Sequence, residues 1–75
     1  MVAGLRAVGP AADPAAALIG DPVPRVRVGA LRALGAVGEH EHVAGVLEAR
    51  DDPEPAVRRA ATRAEERLRT RLDLA

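Results

Sequence analysis

Along residues 24–37 the apolar positions are Val26, Ala30, Ala33, Leu34 and Val37, in steps of four, three, one and three. That is the stripe of an amphipathic helix. Val28 and Leu31 add a second apolar edge, the pattern of a helix packed on two sides. Residues 55–71 are simpler. Val57, Ala61, Ala64, Leu68 and Leu72 step by four, three, four and four, opposite a face of Arg59, Arg63, Glu66 and Thr70 with Arg67 at its edge. The same period predicts short helices over 14–19 and 42–50, the second with Val43, Val46 and Leu47 inward. A helix as short as 14–19 does not persist alone and must be held by packing. Asp13–Pro14 reads as a cap and a first helical residue, while Pro24 and Pro55 open the long helices and Gly20 and Gly38 close helices. Gly29 and Gly35 weaken helix propensity and are expected to let helices approach closely.

The pattern repeats. Asp21, Pro22, Pro24, Val26, Arg27, Ala30 and Ala33 recur as Asp52, Pro53, Pro55, Val57, Arg58, Ala61 and Ala64, each 31 positions later. A fixed period in this range marks a solenoid of stacked helical units. Leu5, Ala7, Val8 and Gly9 also match Leu34, Ala36, Val37 and Gly38 at an offset of 29. Residues 1–9 therefore read as the back half of a repeat, 10–38 as one repeat, and 39–75 as a second with a long, charged C-terminal cap helix. Val2, Leu5 and Val8 then lack a preceding helix, so the chain is expected to self-associate through this edge or to belong to a longer array.

The turn Asp21 followed by Val26, Arg27, Ala30, Ala33, Leu34 and Gly35 resembles HEAT repeats. The short period and the Ala33-Leu34-Gly35 and Gly38 tail look most like the bacterial HEAT-like repeats first described in phycobilisome lyases. The resemblance covers roughly residues 10–72. It implies an all-α, armadillo-like fold: an α–α superhelix of about five helices forming a short right-handed solenoid. In it, 14–19 and 42–50 are first helices, and 24–37 and 55–71 are second helices lining the concave side. It also implies that Asp21, Arg27, Asp52 and Arg58 form a hydrogen-bonded ladder between neighbouring repeats. The six-residue spacing from Asp21 to Arg27 and from Asp52 to Arg58 also suits a bidentate carboxylate–guanidinium pair. The last unit departs from the pattern, since Glu65 and Glu66 stand where Leu34 and Gly35 would be.

Composition narrows the chemistry. The 75 residues contain no Cys, Phe, Tyr or Trp, so the core is aliphatic and has neither disulfide nor thiolate metal site. Ser, Asn, Gln and Lys are also absent and all eleven cations are Arg, a bias that points to GC-rich bacterial coding. Apolar runs are too short for a membrane span, and residues 1–9 lack a signal-peptide core. A cytoplasmic protein is expected. Formal charge is zero but unevenly spread. Residues 39–54 hold six acids against Arg50, and residues 55–72 hold six Arg against Glu65 and Glu66.

Nucleophilic catalysis lacks its parts, because Ser and Cys are missing and Thr62 and Thr70 have no His nearby in sequence. The chain reads as a non-enzyme without cofactor. Glu39-His40-Glu41-His42 is the densest set of metal-ligand types, but the four are sequence neighbours in a connection, and a solvated loop with no metal is expected. The His-Glu pairs of deoxyhypusine hydroxylase, a HEAT-repeat enzyme, would fall at Val28-Gly29 and Arg59-Ala60, so that resemblance fails here. Arg32 recurs as Arg63, with Arg59 and Arg67 nearby. This stripe suits an acidic protein partner. The functional reading is a protein–protein interaction or scaffolding module, with an accessory subunit of a lyase or other enzyme as one alternative. Nucleic-acid binding through a concave Arg stripe, as in HEAT-like DNA glycosylases, is another. Zero net charge and the absence of stacking aromatics speak against it.

Overall fold

Proline at the first helical position fixes φ and gives up no needed donor, and both long helices begin in this way. α2 spans Pro24–Val37 and α4 spans Pro55–Arg71, the bounds that the periodicity predicts. The computed structural model describes residues 12–74. The predicted partial repeat at 1–9 and the stop at Pro10 lie outside them. Ahead of each long helix is a short one, α1 at Ala12–Leu18 and α3 at Val43–Glu48. α1 starts earlier than predicted, and Asp13 sits in its first turn rather than ahead of it. α3 is shorter than its predicted 42–50, because the chain tightens into 3-10 turns at His40–His42 and Ala49–Asp51. Four α-helices and no strand are thus present among the described residues.

The four helices form two stacked pairs. α1 packs on α2, α3 packs on α4, and the largest contact joins α2 to α4. Gly35 lies against Ala64 and Gly38 against Leu68, so the two long helices run side by side in the same direction. Between the layers, Leu31, Leu34, Val46, Val57 and Leu68 are fully buried, with Ala15, Ala49, Ala61 and Ala64 filling the space around them. Full burial of such side chains stabilises by roughly 1.5–3 kcal/mol each, so three leucines and two valines dominate a core that has no aromatic. The stripe predicted on α2 is rotated. Ala30, Leu31, Leu34 and Gly35 are buried, while Val26, Ala33 and Val37 are only half-buried. Leu31, assigned by periodicity to the secondary edge, is fully buried in the shared core. On α4 the stripe Val57, Ala61, Ala64 and Leu68 is buried as predicted, and Leu72 is half-buried.

Small residues set the α2–α4 distance. A Cβ on Gly35 would stand 3.2 Å from the Ala64 Cα, so glycine and alanine meet where the helices come closest. Gly29, expected to serve likewise, faces open space: a Cβ there would meet no neighbouring atom within 4 Å. Gly38 ends α2 with ordinary negative φ, but a Cβ there would lie 2.5 Å from the Leu34 carbonyl oxygen and 3.3 Å from Leu68. Its role is close approach. The carbonyls left over at this helix end are taken by the far end of α4. Arg71 donates to the carbonyls of Gly38 at 2.7 Å, Gly35 at 2.9 Å and Leu34 at 3.3 Å. A late arginine of α4 thus serves the end of a neighbouring helix. α4 itself closes with Asp73 in the left-handed region at φ 58°, Leu74 donating to the Arg69 carbonyl and Asp73 to that of Thr70.

Two glycine substitutions should move stability in opposite directions. Gly29→Ala should stabilise by about 0.5–1 kcal/mol, since it restores helix propensity at no steric cost. Gly38→Ala should destabilise by about 1–3 kcal/mol through overpacking. Urea denaturation followed by circular dichroism measures both, and equal effects of one sign would refute the distinction.

Candidate functional site

Asp21 and Asp52 each make the same turn. The Asp21 carboxylate accepts from the Val23 amide at 2.8 Å, and the Asp52 carboxylate from the Glu54 amide at 2.9 Å. Each turn is also held from within its repeat. Arg27 donates through NH1 to the Asp21 carbonyl, and Arg58 through NH1 to the Asp52 carbonyl, both at 2.7 Å. The side-chain pairing, however, crosses between repeats. Arg27 places Nε 2.8 Å and NH2 3.0 Å from the two oxygens of the Asp52 carboxylate. This corrects the sequence-based pairing of Asp21 with Arg27 side chain to side chain. Six residues of chain carry the guanidinium back to the Asp21 main chain, and its remaining fork faces the next turn. The Arg27 and Asp52 side chains are only 13% and 11% exposed. The Arg27 fork first, and the Glu54 amide second, hold the Asp52 carboxyl below its ordinary value of 3.8. Asp21 and Arg58 carry the outward-facing halves of this pattern, and the Arg58 Nε and NH2 bond no other described residue.

The other four singled-out arginines come together. Arg32 from α2 and Arg59, Arg63 and Arg67 from α4 line one groove of about 310 Å³, floored by Ala56, Ala60 and Ala64. All four arginines are exposed, and none is hydrogen-bonded or ion-paired to another described residue. The reason is local. On α4 they occupy every fourth position, so they share one face, and of the two acids of the helix one is turned away while the other stays at the margin of that face. Glu65 is drawn to the opposite side by Arg50 at 3.0 Å and Arg69 at 2.9 Å. Glu66 lines the shallower surfaces flanking the groove. The groove is thus a concentrated field of positive charge with a small apolar floor.

The Glu39–His42 connection is not a solvated loop throughout, which corrects the sequence-based reading. His40 and Glu41 are exposed, but His42 is 7% exposed. Its Nδ1 accepts from the Glu39 amide at 2.8 Å, half of a reciprocal cap on the 3-10 turn. Its Nε2 lies 3.6 Å from Asp13 and 3.9 Å from Glu41. Asp13 comes from α1, so the fold adds a carboxylate that sequence proximity could not show. Asp13, Glu41 and His42 offer ligand atoms within 4.8 Å of one another. The cap decides their chemistry. An Nδ1 that accepts an amide proton leaves the imidazole proton on Nε2, the atom a metal would require. Nε2–H then faces two carboxylates at 3.6 and 3.9 Å, too far for a hydrogen bond but close enough for attraction, and the cluster sets α1 beside the start of the second repeat.

Sequence reasoning missed Arg71 and the role of His42. Their partners are main-chain atoms, which leave no residue-type signal. No helix among the described residues is long and apolar enough to cross a membrane. The chain matches a family model described as HEAT repeats over residues 1–70. No curated protein and no solved structure gives a match.

The ladder has a pH signature. A carboxylate whose folded pKa lies below its ordinary value stabilises the fold fully above that value, and the contribution is lost as pH falls through the folded pKa. Asp52→Asn should therefore lower the urea midpoint at pH 7, and the gap to wild type should shrink progressively as pH drops below 3.8. A gap unchanged down to about pH 2 would show that the Arg27 fork does not act through charge.

Proposed function

Since the chain belongs to the HEAT-repeat family, whose members generally mediate protein–protein interaction and scaffolding, we propose that it is a protein-interaction module whose contact surface is the groove between α2 and α4. The observation that carries this reading is the set of four exposed arginines, Arg32, Arg59, Arg63 and Arg67, left without intramolecular partners among the described residues, over a small-residue floor. Other arginines are committed to the fold: Arg27 to the ladder and Arg71 to the end of α2. A guanidinium row that bonds no other described residue is available to a ligand, and arginine is well suited to carboxylates because its planar fork bonds both oxygens.

Two features favour a protein over a nucleic acid. Formal charge is zero over the whole chain, so the long-range attraction that gathers a polyanion is weak. There is also no aromatic side chain to stack on a base. A catalytic role gains no support, because the buried His42 is engaged in a cap and the arginine groove contains no nucleophile or general base.

Arg63→Glu should leave the helical circular dichroism unchanged, as the side chain is exposed and unpartnered, and should reduce recovery of the physiological partner in quantitative pull-down. Arg25→Glu, exposed but outside the groove, is the control. Equal recovery with wild type and Arg63→Glu, or equal loss with both variants, would exclude the groove as the contact surface.

A further inference from the structure

We infer that the groove recognises an extended acidic peptide segment with carboxylates at alternate positions. This rests on the reading of the groove as a protein-contact surface and specifies its ligand. Arg59, Arg63 and Arg67 are three successive i, i+4 positions on one helix. At 1.5 Å rise per residue they stand about 6 Å apart along the axis, about 12 Å from first to last. In an extended peptide the side chains on one face recur every second residue, about 6.6–6.8 Å apart, so three of them span about 13 Å. The two repeats stay in step over three side chains. The helix drifts by about 40° per four residues, an offset that the flexible arginine stem absorbs.

The remaining lining fits the same ligand. Ala56, Ala60 and Ala64 carry the same four-residue spacing beside the arginines. Their methyl groups leave room for a main chain and offer it no competing charge. Arg32, on α2, stands on the opposite wall, where it meets a carboxylate or main-chain carbonyl from the other edge of the strand. Glu66 does not line the groove but borders the surfaces beside it, so an acidic segment that leaves the register meets like charge. A helical acidic peptide matches less well, since two parallel rods with four-residue repeats place carboxylates and arginines in contact only where the axes run side by side.

The test is a 15N titration of the full chain in low salt, reading the Nε–H signals of Arg59, Arg63 and Arg67. Three probes of equal charge are compared: acetylated and amidated Glu-Gly-Glu-Gly-Glu, its block isomer Glu-Glu-Glu-Gly-Gly, and an oligothymidylate with three phosphates. The alternating peptide should shift all three arginines together and bind about two- to fivefold more tightly than the block isomer, the value of one exposed ion pair. Arg63→Ala should erase that preference, and Arg63→Lys should restore only part of it because the planar fork is gone. Equal binding of the two peptides, both dependent on Arg63, would overturn the alternating register while leaving the groove as a protein-contact surface. Absence of any shift with either peptide, while pull-down of the partner still depends on Arg63, would overturn the acidic ligand alone. Tighter binding of the oligothymidylate would overturn it in favour of nucleic acid.

Discussion

The contact between Arg27 and Asp52 sets the relation between the two helical pairs. One guanidinium bonds the main chain of its own turn and both carboxylate oxygens of the next. A bidentate fork tolerates little rotation, so the second pair cannot slide or turn on the first without breaking two charge-assisted bonds. Core packing alone gives a weaker constraint. Leucine, valine and alanine repack at modest cost when volume is kept, and this core has no large shape to fix its register. The fork thus supplies the geometric specificity that an aliphatic core lacks. Everything on the α2–α4 face, including the alignment of Arg32 with the α4 arginines, depends on that register being held.

The two long helices divide their surfaces between construction and display. On α4 the buried face carries Val57, Ala61, Ala64 and Leu68, and the next face around carries Arg59, Arg63 and Arg67. Elsewhere on the helix, Glu65 replaces the leucine of the preceding repeat and is held by Arg50 and Arg69. Glu66 replaces the glycine that allows α2 and α4 to touch. A helix brought to α4 as α4 is brought to α2 would meet two carboxylates in place of an apolar seat.

Much of this was legible in the sequence. The bounds of α2 and α4 follow from proline at the first helical position and from sustained periodicity, both local signals. The three groove arginines of α4 share a face because of helical spacing, which is also local, and the repeat offset aligns Arg32 with Arg63. The failures have the opposite origin. Periodicity defines two apolar edges on α2 but not which one has a neighbour, so Leu31 reads as secondary to Val26. Arg27 lies six residues from Asp21, and that spacing suggests a side-chain pair within one turn, whereas the bond that forms is the one between repeats that the family resemblance implies, to a partner 25 residues away. His42 looks like one of four loop residues, but Asp13 approaches from another helix and the Glu39 amide turns the ring into a cap. In each case the missing information was a main-chain atom or a residue distant in sequence.

Arg71 carries a consequence for the order of events at the ribosome. Its acceptors are the carbonyls of Leu34, Gly35 and Gly38, 33 to 37 residues upstream. Until position 71 has emerged, the carbonyls of Gly35 and Gly38 must be left to water, while that of Leu34 already accepts from the Gly38 amide. The last hydrogen bonds at the end of the first repeat's long helix are therefore made by the final turn of the second repeat's long helix, which emerges later in vectorial synthesis. A solenoid is often pictured as settling unit by unit from its leading end. Here a backward-reaching side chain ties the end of one repeat's long helix to the end of the next.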